Sequence, residues 1–142
     1  MQNKSIKIGI IGLGYVGLPL AVEFGRIFNV TGYDTNLIRI ADLKIGIDRN
    51  KDILKNKILN EKKLIFSSSI NDLKNCNTYI ITVPTPIKKS NTPDLKFIKK
   101  ACEDIAKILK KKDIVILEST VYPGVSEEFC VPILEKISKL KF

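Results

Sequence analysis

Three glycines near the start of the chain, Gly12, Gly14 and Gly17, have the spacing of a loop that binds a diphosphate. The first glycine of such a loop permits a tight turn, and the second lets the backbone approach the pyrophosphate. The third lets the following helix pack closely, so that the N–H groups and the dipole of its first turn face the phosphates. Because glycine-rich turns are common, the pattern gains weight only if a strand precedes it and a helix follows it.

The segments around these glycines fit that requirement. An apolar run at 6–11 is typical of a buried strand, and an apolar helix is predicted over 17–28. A second strand, predicted over 30–34, ends in Asp34, which lies 20 residues beyond the second glycine. A carboxylate there accepts hydrogen bonds from the ribose hydroxyls of an adenosine and repels a 2′-phosphate, which favours NAD over NADP. The alternative is that Asp34 caps the helix beginning near Asn36.

The next helix, which Gly46 terminates, carries Arg39 shortly after Asp34. Arg39 is near enough to reach back toward the adenosine; otherwise it is a solvated helix residue. Residues 48–63 are rich in Lys, Asn and Asp around a few apolar side chains, which predicts a helix packed on the surface. We identify no chemistry in that segment.

Two later strands lead into residues that could contact a ligand. The fourth strand is followed by Thr85, which lies between two prolines, and the fifth is followed by Glu118, Ser119 and Thr120. Open α/β sheets bind ligands at the carboxyl ends of their strands. Thr85 either lies at a ligand or belongs to a rigid loop without one. Glu118 could orient another group or act as a general base. Thr120 could hydrogen-bond a cofactor or a water. Alternatively, Ser119 and Thr120 simply satisfy the backbone of the turn.

Strands and helices alternate along the whole chain, which predicts an α/β fold. We expect a Rossmann-like, doubly wound and mainly parallel sheet with helices on both faces. One domain, residues 1–142, accounts for the length. A sixth strand would be expected after the last helix, so we expect an amino-terminal fragment of a longer enzyme. The remaining predicted elements are a strand at 64–66, a short helix at 70–74, strands at 78–83 and 113–117, a helix opened by Pro93-Asp94, and a helix from about 126 that Pro132 interrupts.

The composition limits the classes of partner. The chain has 24 Lys and Arg against 15 Asp and Glu, and this net charge of +9 either attracts anions or forms a solvated lysine-rich surface. There is no arginine-rich or aromatic-basic repeat that would predict nucleic-acid binding. Cys76, Cys102 and Cys130 are far apart and there is no His, so we expect neither a metal site nor a disulfide framework. With no apolar run that could span a membrane, we expect a cytoplasmic protein.

The sequence resembles a known family in several motifs. They are KIGIIGLGYVGLPLA, GYD followed by Arg39, ITVPTP, PDL and ILESTVYPG, in this order. Together they are similar to the NAD-binding half of the UDP-glucose and GDP-mannose dehydrogenase family, over nearly the whole chain. VPTP and ESTVYPG are most similar to the branch that oxidises UDP-N-acetylglucosamine or UDP-N-acetylgalactosamine for polysaccharide and capsule synthesis, including the Vi-antigen type enzymes.

The resemblance implies a reaction and roles for individual residues. The family oxidises the C6 alcohol of a nucleotide sugar to a carboxylate with two NAD in succession, through a cysteine thiohemiacetal and a thioester. By position in the motifs, Tyr15 and Val16 bind the pyrophosphate through their backbone. Asp34 and Arg39 hold the adenosine.

The resemblance also places Thr85 along the cofactor and Thr120 near the nicotinamide, where it helps position the water or hydroxyl handled in catalysis. Two of the family's groups are missing: neither the GGHC-type motif of the nucleophile nor the glutamate of an NPE-type loop occurs here, and no cysteine of this chain matches. We therefore expect this polypeptide to bind NAD without turnover, the central helix and the domain that binds the UDP-sugar being absent. The full-length enzyme is expected to be a homo-oligomer.

Two other functions stay open from the sequence. The chain could be a non-catalytic NAD-sensing module, or the cofactor domain of another two-domain dehydrogenase, such as a hydroxyacid or 6-phosphogluconate type. The fold does not separate these possibilities. The VPTP and ESTVYPG loops favour the nucleotide-sugar dehydrogenase.

Overall fold

Five strands form one parallel sheet within residues 5–142, the part of the chain that the computed structural model describes. Their order is β3-β2-β1-β4-β5, so the chain starts at the centre and moves outward, first to one side and then to the other. This order is that of a doubly wound nucleotide-binding sheet, and it confirms the predicted fold class. The strands are β1 (Lys7–Ile11), β2 (Asn29–Tyr33), β3 (Leu64–Ser67), β4 (Thr78–Ile81) and β5 (Ile114–Leu117).

α-Helices connect the consecutive strands except β3 and β4, which a 3₁₀ turn connects. A 3₁₀ turn at Ile70–Leu73 and a π-helix at Val125–Cys130 complete the regular structure. None of the helices described between residues 5 and 142 combines the length and the apolar character needed to cross a bilayer. The α-helices are α1 (Gly17–Gly25), α2 (Leu37–Lys44), α3 (Lys55–Asn60), α4 (Lys96–Ala106) and α5 (Val131–Ser138).

The central strands are apolar on both faces because helices cover both faces. In β1, Ile8 and Ile10 pack in one core with residues of α1, α2 and α3, whereas Ile11 packs in a second core with α4 and the π-helix. The same alternation occurs in β4, where Ile80 joins the first core and Ile81 the second. Near-continuous apolar runs are typical of parallel strands buried on both sides.

The turn between β1 and α1 depends on glycine at two positions. Gly12 has a φ of +95°, a conformation that other residues rarely adopt. At Gly17 the constraint is space, because a Cβ there would lie 1.8 Å from the Gly12 carbonyl oxygen and 2.5 Å from the Thr82 hydroxyl. A Cβ at Gly14 would meet no atom within 4 Å. The helix therefore begins directly against the turn, while the space beside Gly14 is open.

The surface-packed helix predicted in segment 48–63 is present, but it is shorter than the segment. Within it α3 is helical, whereas residues 48–54 form a loop. The Asp48 carboxylate accepts hydrogen bonds from the backbone N–H groups of Asn50, Asp52 and Ile53 at 3.1, 2.9 and 3.1 Å. A side chain thus takes N–H groups that a helix would have used, a competition typical of Asp.

Two other helices begin where side chains set their first turn. The Asp94 carboxylate accepts the Lys96 N–H at 3.1 Å, and α4 begins at Lys96 rather than at Asp94. Pro132 lies in the first turn of α5, a position that proline favours. The predicted interruption is limited to a change from π to α geometry after Cys130, and the backbone stays helical from Val125 to Ser138.

We predict that Gly17→Ala lowers the free energy of unfolding by about 3 kcal/mol or more, because the new methyl group overlaps backbone. Gly14→Ala should change it by less than about 1 kcal/mol, because its methyl group enters open space. Urea denaturation followed by far-ultraviolet circular dichroism measures both values. Equal losses in the two variants would contradict the packing constraint at Gly17.

Candidate functional site

The predicted site residues lie along one edge of the sheet. The glycine turn follows β1, Asp34 follows β2, Thr85 follows β4, and Glu118 and Thr120 follow β5. Because all five strands run in parallel, their carboxyl ends meet at this edge. The fold therefore brings together segments that are far apart in the sequence.

The glycine turn presents backbone to solvent at the start of α1. The Gly12 N–H donates to the Tyr33 carbonyl at 2.8 Å, which ties the turn to β2. Tyr15 and Val16 are 73% and 50% exposed, although both are large apolar residues. No side chain caps α1 at Val16. The amino end of the helix is thus accessible to an anion.

Asp34 holds this turn from β2. One carboxylate oxygen accepts the Leu13 N–H at 2.9 Å, and the other accepts the Asn36 N–H at 2.9 Å. The cap of α2 is Asn36, whose side-chain oxygen accepts the Arg39 N–H, so the alternative that Asp34 is the cap was wrong. A carboxylate can accept about four hydrogen bonds, and Asp34 therefore retains acceptor capacity.

Arg39 binds the other polar group of the Leu13 backbone, its carbonyl. Its Nε donates to the Leu13 carbonyl at 2.9 Å, and its Nη1 donates to Asp48 at 2.7 Å. The Arg39 side chain is only 11% exposed, so the alternative of a solvated helix residue was wrong. Its Nη2 is buried and has no hydrogen-bond partner among residues 5–142.

Burial opposes the negative charge of Asp48, yet the pKa of this carboxyl is lowered. The hydrogen bonds from Arg39 and from three backbone N–H groups outweigh the desolvation. Beside the site, burial and the nearby Asp104 raise the pKa of the Tyr33 phenol. Asp48 is therefore charged across the neutral range and Tyr33 is protonated.

Thr82 is a third support of the turn, and it was not identified from the sequence. Its hydroxyl lies 2.7 Å from the Gly12 carbonyl oxygen and 3.0 Å from that of Ile11. The residue is buried, just beyond the end of β4. A hydroxyl-bearing residue closing an otherwise apolar strand was the available signal.

The loops after β4 and β5 are tied to each other by two hydrogen bonds. The Thr85 hydroxyl donates to the Thr120 carbonyl at 2.7 Å, and the Ser119 hydroxyl donates to the Val83 carbonyl at 2.7 Å. Ser119 thus satisfies backbone of the neighbouring loop rather than of its own turn. Glu118 and Thr120 have exposed side chains on this fixed backbone.

All three cysteines are buried and unpaired. The neighbouring Cys130 thiol and burial raise the pKa of the Cys102 thiol. Burial likewise raises the pKa of Cys76, which precedes β4 and so lies at the opposite edge of the sheet. The prediction that Cys102 belongs to the core is confirmed.

The site residues fit a dinucleotide. Open space beside Gly14 leaves room for a pyrophosphate, and Asp34 has free acceptor capacity for ribose hydroxyls. Exposed groups at Thr120 and Glu118 lie at the carboxyl end of β5. This arrangement can bind and orient a cofactor, whereas all three described thiols are buried.

Comparison with known proteins agrees with this geometry. The NAD-binding domain of the UDP-glucose/GDP-mannose dehydrogenase family matches residues 6–142. UDP-N-acetyl-D-glucosamine 6-dehydrogenase of Pseudomonas aeruginosa is 52% identical over 139 residues, which cover 98% of this chain and 33% of that protein. Protein CapL of Staphylococcus aureus is 49% identical over 134 residues, which cover 94% of this chain and 31% of that protein.

A solved structure shows the same fold. UDP-D-ManNAc dehydrogenase from Pyrococcus horikoshii has a TM-score of 0.86 at 32% identity, over 96% of this chain and 34% of that one. The chain spans about a third of the length of the curated relatives it matches. It belongs to the UDP-glucose/GDP-mannose dehydrogenase family, within which it corresponds to the NAD-binding domain.

Proposed function

We propose that this chain is the cofactor domain of a nucleotide-sugar 6-dehydrogenase that oxidises the C6 alcohol of a UDP-N-acetylhexosamine to a carboxylate with two NAD. The observation that carries the proposal is the 52% identity, over 98% of this chain, with a UDP-N-acetyl-D-glucosamine 6-dehydrogenase. The nucleophilic thiol and most contacts to the UDP-sugar then belong to the part of the relatives that this chain does not span. The whole enzyme is proposed to be a homo-oligomer.

The glycine turn binds the pyrophosphate in this proposal. The backbone N–H groups of Tyr15 and Val16 stand at the exposed start of α1, where the helix dipole favours an anion. Gly14 leaves the approach open, whereas Gly12 and Gly17 set the turn and its contact with the helix. A side chain at Gly14 would occupy the space that the diphosphate needs.

Asp34 and Arg39 hold the adenosine half. Asp34 offers its remaining lone pairs to the ribose hydroxyls, and its charge repels a 2′-phosphate. Arg39 supports this half by donating from Nε to the Leu13 carbonyl, while its own Nη2 is buried. Because the Asp34 charge repels the 2′-phosphate, NAD is preferred to NADP.

Thr85, Thr120 and Glu118 support the reacting half. When bound, NAD supplies the hydride acceptor for the oxidation. Thr85 fixes the Thr120 backbone, so the exposed Thr120 hydroxyl can orient the cofactor or a water. Glu118, also exposed, positions a neighbouring polar group or accepts a proton.

Polysaccharide or capsule synthesis in the cytoplasm is the proposed setting. The branch of the family that the loop motifs resemble supports the pathway. Three unpaired cysteines are compatible with a reducing compartment.

The activity is tested with the product of the complete gene. Incubated with NAD and UDP-N-acetylglucosamine or UDP-N-acetylgalactosamine, it should form two NADH per sugar, measured at 340 nm, and a uronate, measured by mass spectrometry. The 142-residue chain alone should bind NAD and form no NADH. A complete protein that binds NAD but oxidises none of these sugars would favour the NAD-sensing module.

Asp34→Asn should reduce the preference for NAD over NADP at least about 10-fold, because the neutral amide no longer repels the 2′-phosphate. Isothermal titration of the 142-residue chain with each nucleotide measures the two dissociation constants. Asp42→Asn removes the same charge from α2, where Asp42 pairs with Arg49, and should leave the preference unchanged. Equal affinity of the unmodified chain for NAD and NADP would contradict the role of Asp34.

Thr120→Val in the complete enzyme should lower kcat about 10-fold or more and change the dissociation constant of NAD less than about 3-fold. The hydrogen bond from Thr85 goes to the Thr120 backbone, so the substitution removes the hydroxyl and keeps the loop contact. Thr120→Ser should restore most of the rate. Unchanged turnover in Thr120→Val would reject a role in catalysis.

A further inference from the structure

The peptide groups of Leu13 are held on both sides by charged side chains. Its N–H donates to Asp34 at 2.9 Å, and its carbonyl accepts from Arg39 Nε at 2.9 Å. The Leu13 side chain is itself buried in the core. The residue between the first two glycines of the turn is therefore fixed by its side chain and by both backbone groups.

Asp48 holds Arg39 in place. The Asp48 side chain is 1% exposed, and its oxygens accept Arg39 Nη1 at 2.7 Å together with three backbone N–H groups of its own loop. A carboxylate with four such partners has little freedom to move. It gives the guanidinium of Arg39 a stationary anion inside the protein.

Two fixed contacts determine the orientation of a planar guanidinium. Nε is bound to Leu13 and Nη1 to Asp48, so the direction of Nη2 follows from the planarity of the group. If Asp48 were neutral, Arg39 would keep a buried charge without its anion, which favours rotation of the side chain toward water. Leu13 would then lose its carbonyl partner, and Nη2 would leave its present position.

We propose that Asp48 is a positioning residue for NAD binding, which acts through Arg39 on the glycine turn and on the adenosine half of the site. The inference rests on the proposed function, because it takes NAD as the ligand of this edge. Asp48 touches no cofactor in this view. Its contribution is to keep the Leu13 peptide and the Arg39 guanidinium in their present geometry before NAD arrives.

Isothermal titration of NAD into the 142-residue chain and its Asp48→Asn variant provides the test. The variant should bind NAD about 10-fold more weakly, because a charge-assisted hydrogen bond to Arg39 is lost. Asp42→Asn is the matched control, since Asp42 pairs with the exposed Arg49 and should bind NAD like the unmodified chain. If the unmodified chain fails to bind NAD, the proposed function fails; if it binds and Asp48→Asn binds equally well, only this inference fails.

A double-mutant cycle separates positioning from a general loss of structure. In the background of Arg39→Met, Asp48→Asn should change the dissociation constant of NAD less than about 2-fold, because Asp48 then has no guanidinium to position. If the role of Asp48 were merely structural, Asp48→Asn would weaken NAD binding by the same factor in the unmodified chain and in Arg39→Met. That additive result would overturn the proposal.

A measurement on the unmodified chain covers the case in which Asp48→Asn does not fold. The Arg39 Nε–H proton should exchange slowly with water and shift in the NMR spectrum when NAD is added. The exposed Arg26 provides the internal reference for a freely exchanging arginine. An Arg39 proton that exchanges as fast as that of Arg26, or that ignores NAD, would overturn the proposal.

Discussion

The contact between α1 and the turn that leaves β1 is the constraint on which the site depends. Because no side chain separates them at Gly17, the helix begins against the Gly12 carbonyl, and the Thr82 hydroxyl occupies the remaining space beside the same oxygen. A central strand, its following helix and the neighbouring strand β4 thus meet at one point. An anion bound at the start of α1 is held relative to the core of the sheet rather than to a free loop.

Around this contact, charged side chains hold the backbone of the turn. The Leu13 peptide cannot turn to water, so its two polar groups need partners inside the protein, and Asp34 and Arg39 provide them. With Asp48, two carboxylates and one guanidinium leave a local charge of −1 in a chain whose net charge is +9. The lysine-rich surface would attract any phosphate, whereas this local charge disfavours an additional one on the ribose. The overall positive charge thus favours the approach of phosphate ligands, whereas the local negative charge would discriminate between nucleotides with and without a phosphate on the ribose.

The sequence predicted the elements with strong local signals and missed the contacts made across the fold. Glycine spacing and apolar strands were sufficient to predict the sheet and the turn. Asp48 stands in a segment of many similar polar residues, and nothing local distinguishes the one carboxylate that is buried against Arg39. The same side chain takes the N–H groups of its loop, which is why a helix predicted over 48–63 is shortened to α3. Thr82 was missed for a related reason, since its partners lie some 70 residues away in the sequence.

The two halves of the edge differ in how their polar groups are satisfied. On the glycine-turn side, Asp34 and Arg39 both hydrogen-bond to the Leu13 peptide, and Arg39 also bonds to Asp48. The arrangement proposed to bind a nucleotide is therefore held by contacts within this chain. On the β4–β5 side, hydrogen bonds fix the backbone of the loops, while the side chains of Glu118 and Thr120 are exposed. These exposed side chains are available to contact a bound cofactor, or a substrate that other parts of an enzyme hold. Under the proposed function, different contacts would therefore serve the binding of NAD and its use in the reaction.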